Sequence, residues 1–390
     1  MSGLKTRGRK LGPLAGVRIV ELAGIGPGPV AAMLLADLGA TVIRVDRKEP
    51  SGLGLPRPVQ FDVALRNRKS IRVDLKDPAG IALVLDLVGK ADALIEGFRP
   101  GVTERLGLGP GICLERNPKL VYGRVTGWGQ DGPLAQSAGH DINYISITGV
   151  LNAIGERGQA PAIPLNVIGD YAGGSLYLAL GILAGVLETR TSGKGQVVDA
   201  AIVDGVASLM TVLVGLREAG MFSGERGANL VDSGAPFYQV YACADGKYLS
   251  IGPIEQKFYV QLLECLGLNP TDLGDQMDQR NWRENKAIFT SKFKERTRAE
   301  WLALFESSDA CVAPVLDLKE AYEHPHIKAR GTYINVAGVM QPAPAPRFSR
   351  TTLPTPVPPA ELNRENGSAA LGDWLSDSEI AELADAGTFS

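Results

Sequence analysis

Two side chains stand out as carriers of protons. His140, one of only three histidines in 390 residues, sits in Gly139-His140-Asp141, just ahead of the largely apolar run 142–147. His324 and His326 flank a proline in a polar stretch, which leaves His140 as the one imidazole in apolar surroundings. Asp170 opens Asp170-Tyr171-Ala172-Gly173-Gly174-Ser175, between the apolar run 165–168 and the long apolar segment 176–187. Burial and neighbouring charge tune an imidazole and a carboxyl toward neutral pH, so such a pair can remove a proton and return one. The plainer alternative is that His140 satisfies a buried backbone group and Asp170 caps a helix. Spacing alone leaves both open.

The elements that must position them follow a simple grammar. Residues 17–22 read as a buried strand, 24–29 as a glycine- and proline-rich turn, 30–39 as a helix stopped by glycine, and 41–46 as a second strand. Strand, turn, helix and strand make a βαβ unit and predict an α/β fold with a large, doubly wound, Rossmann-like parallel sheet. The glycines and Asp46 mimic a dinucleotide fingerprint. However, Pro29 occupies its last glycine position, and Pro27 and Pro29 remove amides that a pyrophosphate would need. NAD is therefore not expected. Arg47 suits a phosphate better than a bare ribose, and residues 65–76 set basic side chains beside a short strand.

Further strands are expected at 91–96, 120–125 and 196–199, and a helix buried on all faces at 176–188. Asp204 is placed to cap a long helix running toward Met221. The reading divides the chain into 1–221, the first part of the large domain; a linker, 222–235; a small α+β domain, 236–330; and 331–390, a return segment with a C-terminal helix. The small domain opens on a hairpin, 237–243 and 247–251, with Glu255 just beyond it. Capping boxes begin at Thr297 and Ser376. Residues 1–12 form a basic tail, and 48–60 a proline- and glycine-rich loop.

Composition narrows the classes. A net charge of −3 and 6% aromatic residues give no electrostatic or stacking footprint for nucleic acid. Four scattered cysteines, with no Cys/His ligand spacing, point to neither a zinc site nor a disulfide framework. The longest apolar run falls short of the roughly 20 residues of a membrane span, and neither end carries a targeting pattern. A cytoplasmic protein without a membrane span is expected.

Several stretches together resemble the α-methylacyl-CoA racemases of the family III CoA-transferase superfamily. They are Glu21-Leu22-Ala23-Gly24-Ile25-Gly26-Pro27-Gly28-Pro29, Arg99-Pro100-Gly101-Val102, Thr126-Gly127-Trp128-Gly129-Gln130, Gly139-His140-Asp141-Ile142-Asn143-Tyr144 and Gly193-Lys194-Gly195-Gln196-Val197-Val198-Asp199-Ala200. They run in order through most of the chain. The resemblance implies a large doubly wound domain interrupted by a smaller one, in an interlocked homodimer. It assigns His140 and Asp170 as the two catalytic bases and Glu255 as the carboxylate that orients the histidine. Amides near Asp141 would hold an enolate oxygen. Arg47, residues Val73, Leu75 and Lys76, and Arg105 match positions that hold the adenosine and phosphate end of CoA, with Tyr144 as a further binding candidate. The loop 48–60 is longer than the family's.

The implied reaction is epimerisation of a 2-methylacyl-CoA thioester, with one base removing the α-proton and the other returning one to the opposite face. CoA belongs to the substrate, and no separate cofactor is implied. The alternative is a CoA transferase in which Asp170 attacks the thioester to form a mixed anhydride. Residues 251–255 lack the glycine run of those transferases, and a transferase has no use for His140 backed by Glu255. A non-catalytic acyl-CoA-binding protein is the third possibility.

Overall fold

The structure, a computed structural model, describes residues 11–49 and 52–390. Most of the basic tail, and Pro50 and Ser51 of the following loop, lie outside them. The described residues divide into two compact units: those up to 147, with 165–209 and 331–390, form the first, and 148–164 with 210–330 the second.

The first unit is built on β1 (Arg18–Leu22), α1 (Pro27–Asp37), β2 (Thr41–Arg47), β3 (Lys69–Val73), α2 (Pro78–Val88), β4 (Ala93–Glu96), α3 (Val102–Arg105), α4 (Pro110–Arg116) and β5 (Val121–Thr126). After α5 (Asp141–Ile147) the chain leaves for the second unit, where it forms the short α6 (Val150–Ala153). It returns through a π-helical segment, Val167–Leu176, to α7 (Tyr177–Ser192), β6 (Gln196–Ala201) and α8 (Ile202–Leu209). The six strands are all parallel, in the order β3-β2-β1-β4-β5-β6. Strand order reverses between β1 and β4, and at such a point the loops beyond the strands' carboxyl ends part to leave a crevice.

Both faces of the sheet are covered, which is why its strands are nearly continuous in apolar residues. Ile19, Val42, Ile95 and Val121 face α1 and α7, while Val20, Ile43, Leu94 and Tyr122 face α2, α4 and the C-terminal segment with Trp374 and Leu371. Buried charges stitch the strands together: Glu21 on β1 accepts from Arg44 on β2 at 2.8 Å and from Arg68 just before β3. The last residues pair with the sheet edge, where Ser390 and Arg72 exchange backbone hydrogen bonds.

The second unit carries an antiparallel sheet of β7 (Gln239–Ala242), β8 (Tyr248–Ile251) and β9 (Val312–Val315). Its core stacks Tyr241, Phe289, Phe293 and Trp301 behind that sheet. The hairpin and both capping boxes lie where the sequence puts them.

Four expectations change. Helix α1 starts at Pro27, because prolines fit the first turn of a helix, where no intrahelical amide donor is needed. The helix expected from Asp204 starts at Ile202 and breaks at Met210, giving α8 and α9 (Thr211–Glu218). Residues 222–235 are no loose linker: Asn229 is buried and accepts from the Ser223 amide at 2.6 Å, and its own amide nitrogen reaches Asp232. Helix α7 is not buried all round. Leu178, Ile182 and Val186 enter the core, but Leu180 and Leu187 remain exposed.

Candidate active site

The π-helical segment presents Asp170. Its sequence, Val-Ile-Gly-Asp-Tyr-Ala-Gly-Gly-Ser-Leu, places three glycines where neighbours approach closest. A Cβ on Gly169 would sit 2.3 Å from Asp141 Oδ2, and one on Gly174 would sit 2.8 Å from Pro27 Cβ. Wide turns of this kind are often found at functional sites. The segment is closed at its far end by Ser175, whose hydroxyl donates to the carbonyls of Pro27 (2.8 Å) and Asp170 (3.1 Å). The glycine turn after β1 therefore serves this aspartate. Gly26 holds φ at +69°, and a Cβ there would come within 3.6 Å of Asp170 Oδ2.

Asp170 is half-buried. Its Oδ2 accepts from Asn166 Nδ2 at 3.2 Å. Burial holds its carboxyl above the ordinary aspartate range and the charge of Asp141 pushes the same way, while Asn166 and His140 pull it down. Asp141 begins α5 and is buried. One of its oxygens, Oδ2, accepts the Asp170 amide at 2.7 Å, and the Gly169 amide also acts on the carboxylate. Its other oxygen is buried with no hydrogen-bond partner among the described residues. Burial raises its affinity for a proton, against those two amides.

His140 is exposed within this chain, and this corrects the expectation of a buried imidazole. It stands one residue ahead of α5, where its backbone is fixed. Its amide donates to Asn143 Oδ1 at 3.1 Å, and its carbonyl accepts from the amides of Asn143 and Tyr144. The apolar run behind it is the amphipathic α5, whose Ile145 is buried and whose Ile142 and Ile147 are exposed. Apolar neighbours in sequence do not enclose a residue when the helix they form has an open face. Tyr144 locks the same corner. Its ring meets Trp128 edge-on at 4.7 Å, and its hydroxyl donates to the Gly139 carbonyl.

A second feature lies at the carboxyl ends of β1, β2 and β4, the crevice of the parallel sheet. An open cleft of about 280 Å³ is lined by Gly24, Ile25, Arg44, Arg47, Arg72 and Phe98, among others. Arg47 lies over the Phe98 ring at 5.3 Å. Of the expected CoA-binding residues, Arg47 lines this cleft. Val73 and Leu75 do not offer side chains to it, since both are buried in the core. The period of two explains the difference: with Ile71 and Val73 turned inward, Arg72 between them turns out into the cleft. Lys76 is exposed in the turn before α2, and Arg105 is exposed at the end of α3 beside Gly101.

Within the first unit the structure thus gathers His140, Asp141, Tyr144 and Asp170. Glu255 belongs to the second unit. It is the residue before α10 (Gln256–Leu266), exposed, with its carbonyl accepting from Phe258 and Tyr259. Its charge helps push the Cys311 thiol up, after burial. Sequence reasoning missed Asn166 and Phe98, which carry no sequence signal; Arg72 lay within the basic stretch 65–76, and the strand alternation is what turns it into the cleft.

The sequence profile described as CoA-transferase family III matches residues 14–366. The chain is 43% identical over 375 residues to alpha-methylacyl-CoA racemase of Mus musculus, covering 95% of this chain and 96% of that protein. It is also 43% identical over 341 residues to the enzyme of the same name from Homo sapiens, covering 87% of each. Among solved structures, a CAIB/BAIF family protein from Brucella suis superposes with a TM-score of 0.80 at 27% identity, over 94% of this chain and all of that one.

Proposed function

The chain belongs to CoA-transferase family III, and within that family we propose that it is an α-methylacyl-CoA racemase. It epimerises the 2-methyl centre of acyl-CoA thioesters by moving one proton off Cα and another onto the opposite face. The observation that carries this reading is the joining of His140 and Asp170 through Asp141, whose backbone follows the histidine and whose carboxylate holds the Asp170 amide.

A thioester acidifies its α-hydrogen only weakly, so deprotonation needs a base in place and a stabilised enolate. In one direction neutral His140 takes the proton. The electron pair of the C–H bond moves into the thioester carbonyl, and protonated Asp170 delivers its proton to the other face of Cα. In the reverse direction the roles exchange. The raised proton affinity of Asp170 suits both, because a carboxyl held above its usual range is a better base when ionised and is more often protonated near neutral pH. The first amide of α5, at Asp141, is assigned to the enolate oxygen, and Glu255 to fixing the imidazole tautomer. No electrons leave the substrate, so the chemistry calls for no redox group.

The adenosine and phosphate end of CoA is assigned to the cleft with Arg47 over Phe98, with Lys76 and Arg105 as outlying cations and Tyr144 bracing the corner near His140. The protein is read as a cytoplasmic homodimer.

The test is NMR of (R)-2-methylacyl-CoA with the protein in deuterium oxide. Loss of the α-proton signal with appearance of the (S)-epimer supports the racemase. No exchange, with CoA transferred to an added carboxylate, makes Asp170 a nucleophile and overturns it.

A further inference from the structure

We infer that the side chain of Asp141 is a positioning residue that sets the distance between the two bases. The inference rests on the racemase reading above and adds a role for a side chain not itself assigned to the proton transfer.

Three observations converge on it. First, Asp141 is covalently next to His140 and hydrogen-bonded at 2.7 Å to the amide of Asp170, so a single residue spans both bases. Secondly, the clamp is built in: a side chain on Gly169 would strike Asp141 Oδ2 at 2.3 Å, so only glycine lets the carboxylate reach the amides of both 169 and 170. Thirdly, the clamp fills a need created by the local fold. The first amides of any helical segment have no partner within it and must find one elsewhere. Asn166, which stands before the segment, makes no capping hydrogen bond and instead donates to the Asp170 carboxylate. The amides fall to Asp141, across 29 residues of sequence.

Two bases on opposite faces of one carbon must each sit within hydrogen-bonding reach of it. A shift of either by about 1 Å can lower the rate by about 100-fold. If Asp141 loosens, Asp170 drifts, while His140 stays held by Asn143 and Tyr144 through its backbone. Proton removal by His140 then survives, and delivery to the far face fails. The imidazolium trades its proton for a deuteron from the solvent and returns that deuteron to the same face of the enolate, so exchange continues without inversion.

The charge of Asp141 supplies a second readout. The groups acting on the Asp170 carboxyl are Asp141, which raises its proton affinity, and Asn166 and His140, which lower it; Asp170 in turn raises Tyr144. The face of α1 toward it presents Gly26 and Pro27, which carry no charge. Neutralising Asp141 therefore moves the pH limb at which Asp170 becomes a base toward acid.

The experiment compares α-proton exchange and inversion for each enantiomer in deuterium oxide, in the wild type, Asp141→Ala and Asp141→Asn. Asp141→Ala is expected to lose inversion by about 100-fold and to keep exchange with retention from the enantiomer that His140 serves. Asp141→Asn, whose amide oxygen can still accept the two amides, is expected to recover most of the inversion, with its Asp170 limb at lower pH. Equal loss of exchange and inversion in Asp141→Asn, or an Asp141→Ala enzyme that inverts like the wild type, overturns the inference. Should Asp141→Ala fail to fold, the Asn variant and its pH limb decide alone. Deuterium uptake at the Gly169 and Asp170 amides, measured without substrate, separates the two readings. A wild type that neither exchanges nor inverts while Asp141→Ala deprotects these amides sinks the racemase and the inference that rests on it, leaving only a structural clamp.

Discussion

At the scale of single residues, catalysis and stability pull Asp170 in opposite directions. Burial makes its carboxyl hold a proton to higher pH in the folded chain than in the unfolded one, where the value is about 3.9. Between those two values the folded state binds more protons, so its stability falls as pH rises through that window and stays lower at neutral pH. Asp170→Asn removes the titration while leaving an oxygen to accept from Asn166. The variant is expected to melt above the wild type at about pH 7 and level with it below about pH 3, while losing inversion. Calorimetry at the two pH values checks this, and a wild type that melts higher at both would refute it. His140 and Asp170 were legible in the sequence as candidates because few residue types move protons near neutrality, and here a rare histidine and an embedded acid lie in neighbouring motifs. What the sequence could not supply was the environment of each. Apolar neighbours suggested an enclosed His140, but enclosure depends on which face of α5 is covered, and α5 leaves His140, Ile142 and Ile147 open.

At the scale of elements, the glycines of the π-helical segment explain why it lies so close to its neighbours. Helix α8 crosses it with backbone against backbone: a Cβ on Gly205 would stand 2.0 Å from the Gly173 carbonyl oxygen, and one on Gly173 would meet Val206 at 2.6 Å. The obstacle at Gly205 is Gly173 backbone alone, so a methyl group there must push α8 away from the segment that carries Asp170. Gly205→Ala is expected to cost about 1–3 kcal/mol, read as a lower urea midpoint at unchanged slope, together with a fall in kcat. An unchanged midpoint would show that the crossing is looser than drawn. The parallel sheet was legible because apolar strands alternate with helices bounded by proline and glycine, and the prolines of the glycine turn after β1 depart from the dinucleotide pattern. Its actual task was hidden. Gly26 and Pro27 meet Asp170 and Ser175, residues about 145 positions later, and pairing over that separation leaves no local pattern. The π-helical turn was hidden for a related reason, since its stability comes from Asp141 and the glycine contacts rather than from helix propensity.

At the scale of the molecule, the unanswered demand is for cover over apolar surface. The continuous helical run Val167–Ser192 is 26 residues long and apolar enough to cross a bilayer by length and composition alone. One side of it, with Leu178, Ile182 and Val186, packs into the core of the first unit, so the helix is spoken for by the fold. Its other side exposes Leu176, Leu180 and Leu187, each more than half accessible. In the second unit none of α9 is buried, and Val212 and Val214 face outward. Apolar side chains gathered on exposed helix faces mark contact surfaces. A second copy is the occupant expected on these faces, because pairing would bury them without anything foreign to the protein. Sedimentation equilibrium is therefore expected to give twice 41.3 kDa, 82.6 kDa, for the wild type. Leu180→Glu, which would bury an unpaired charge at such a contact, is expected to shift the mass toward the single chain. The same variant should lower racemisation in step with the loss of dimer. A wild type that sediments as one chain while fully active would remove the dimer from the mechanism, and flotation with lipid vesicles would assign the exposed leucines to a membrane surface instead.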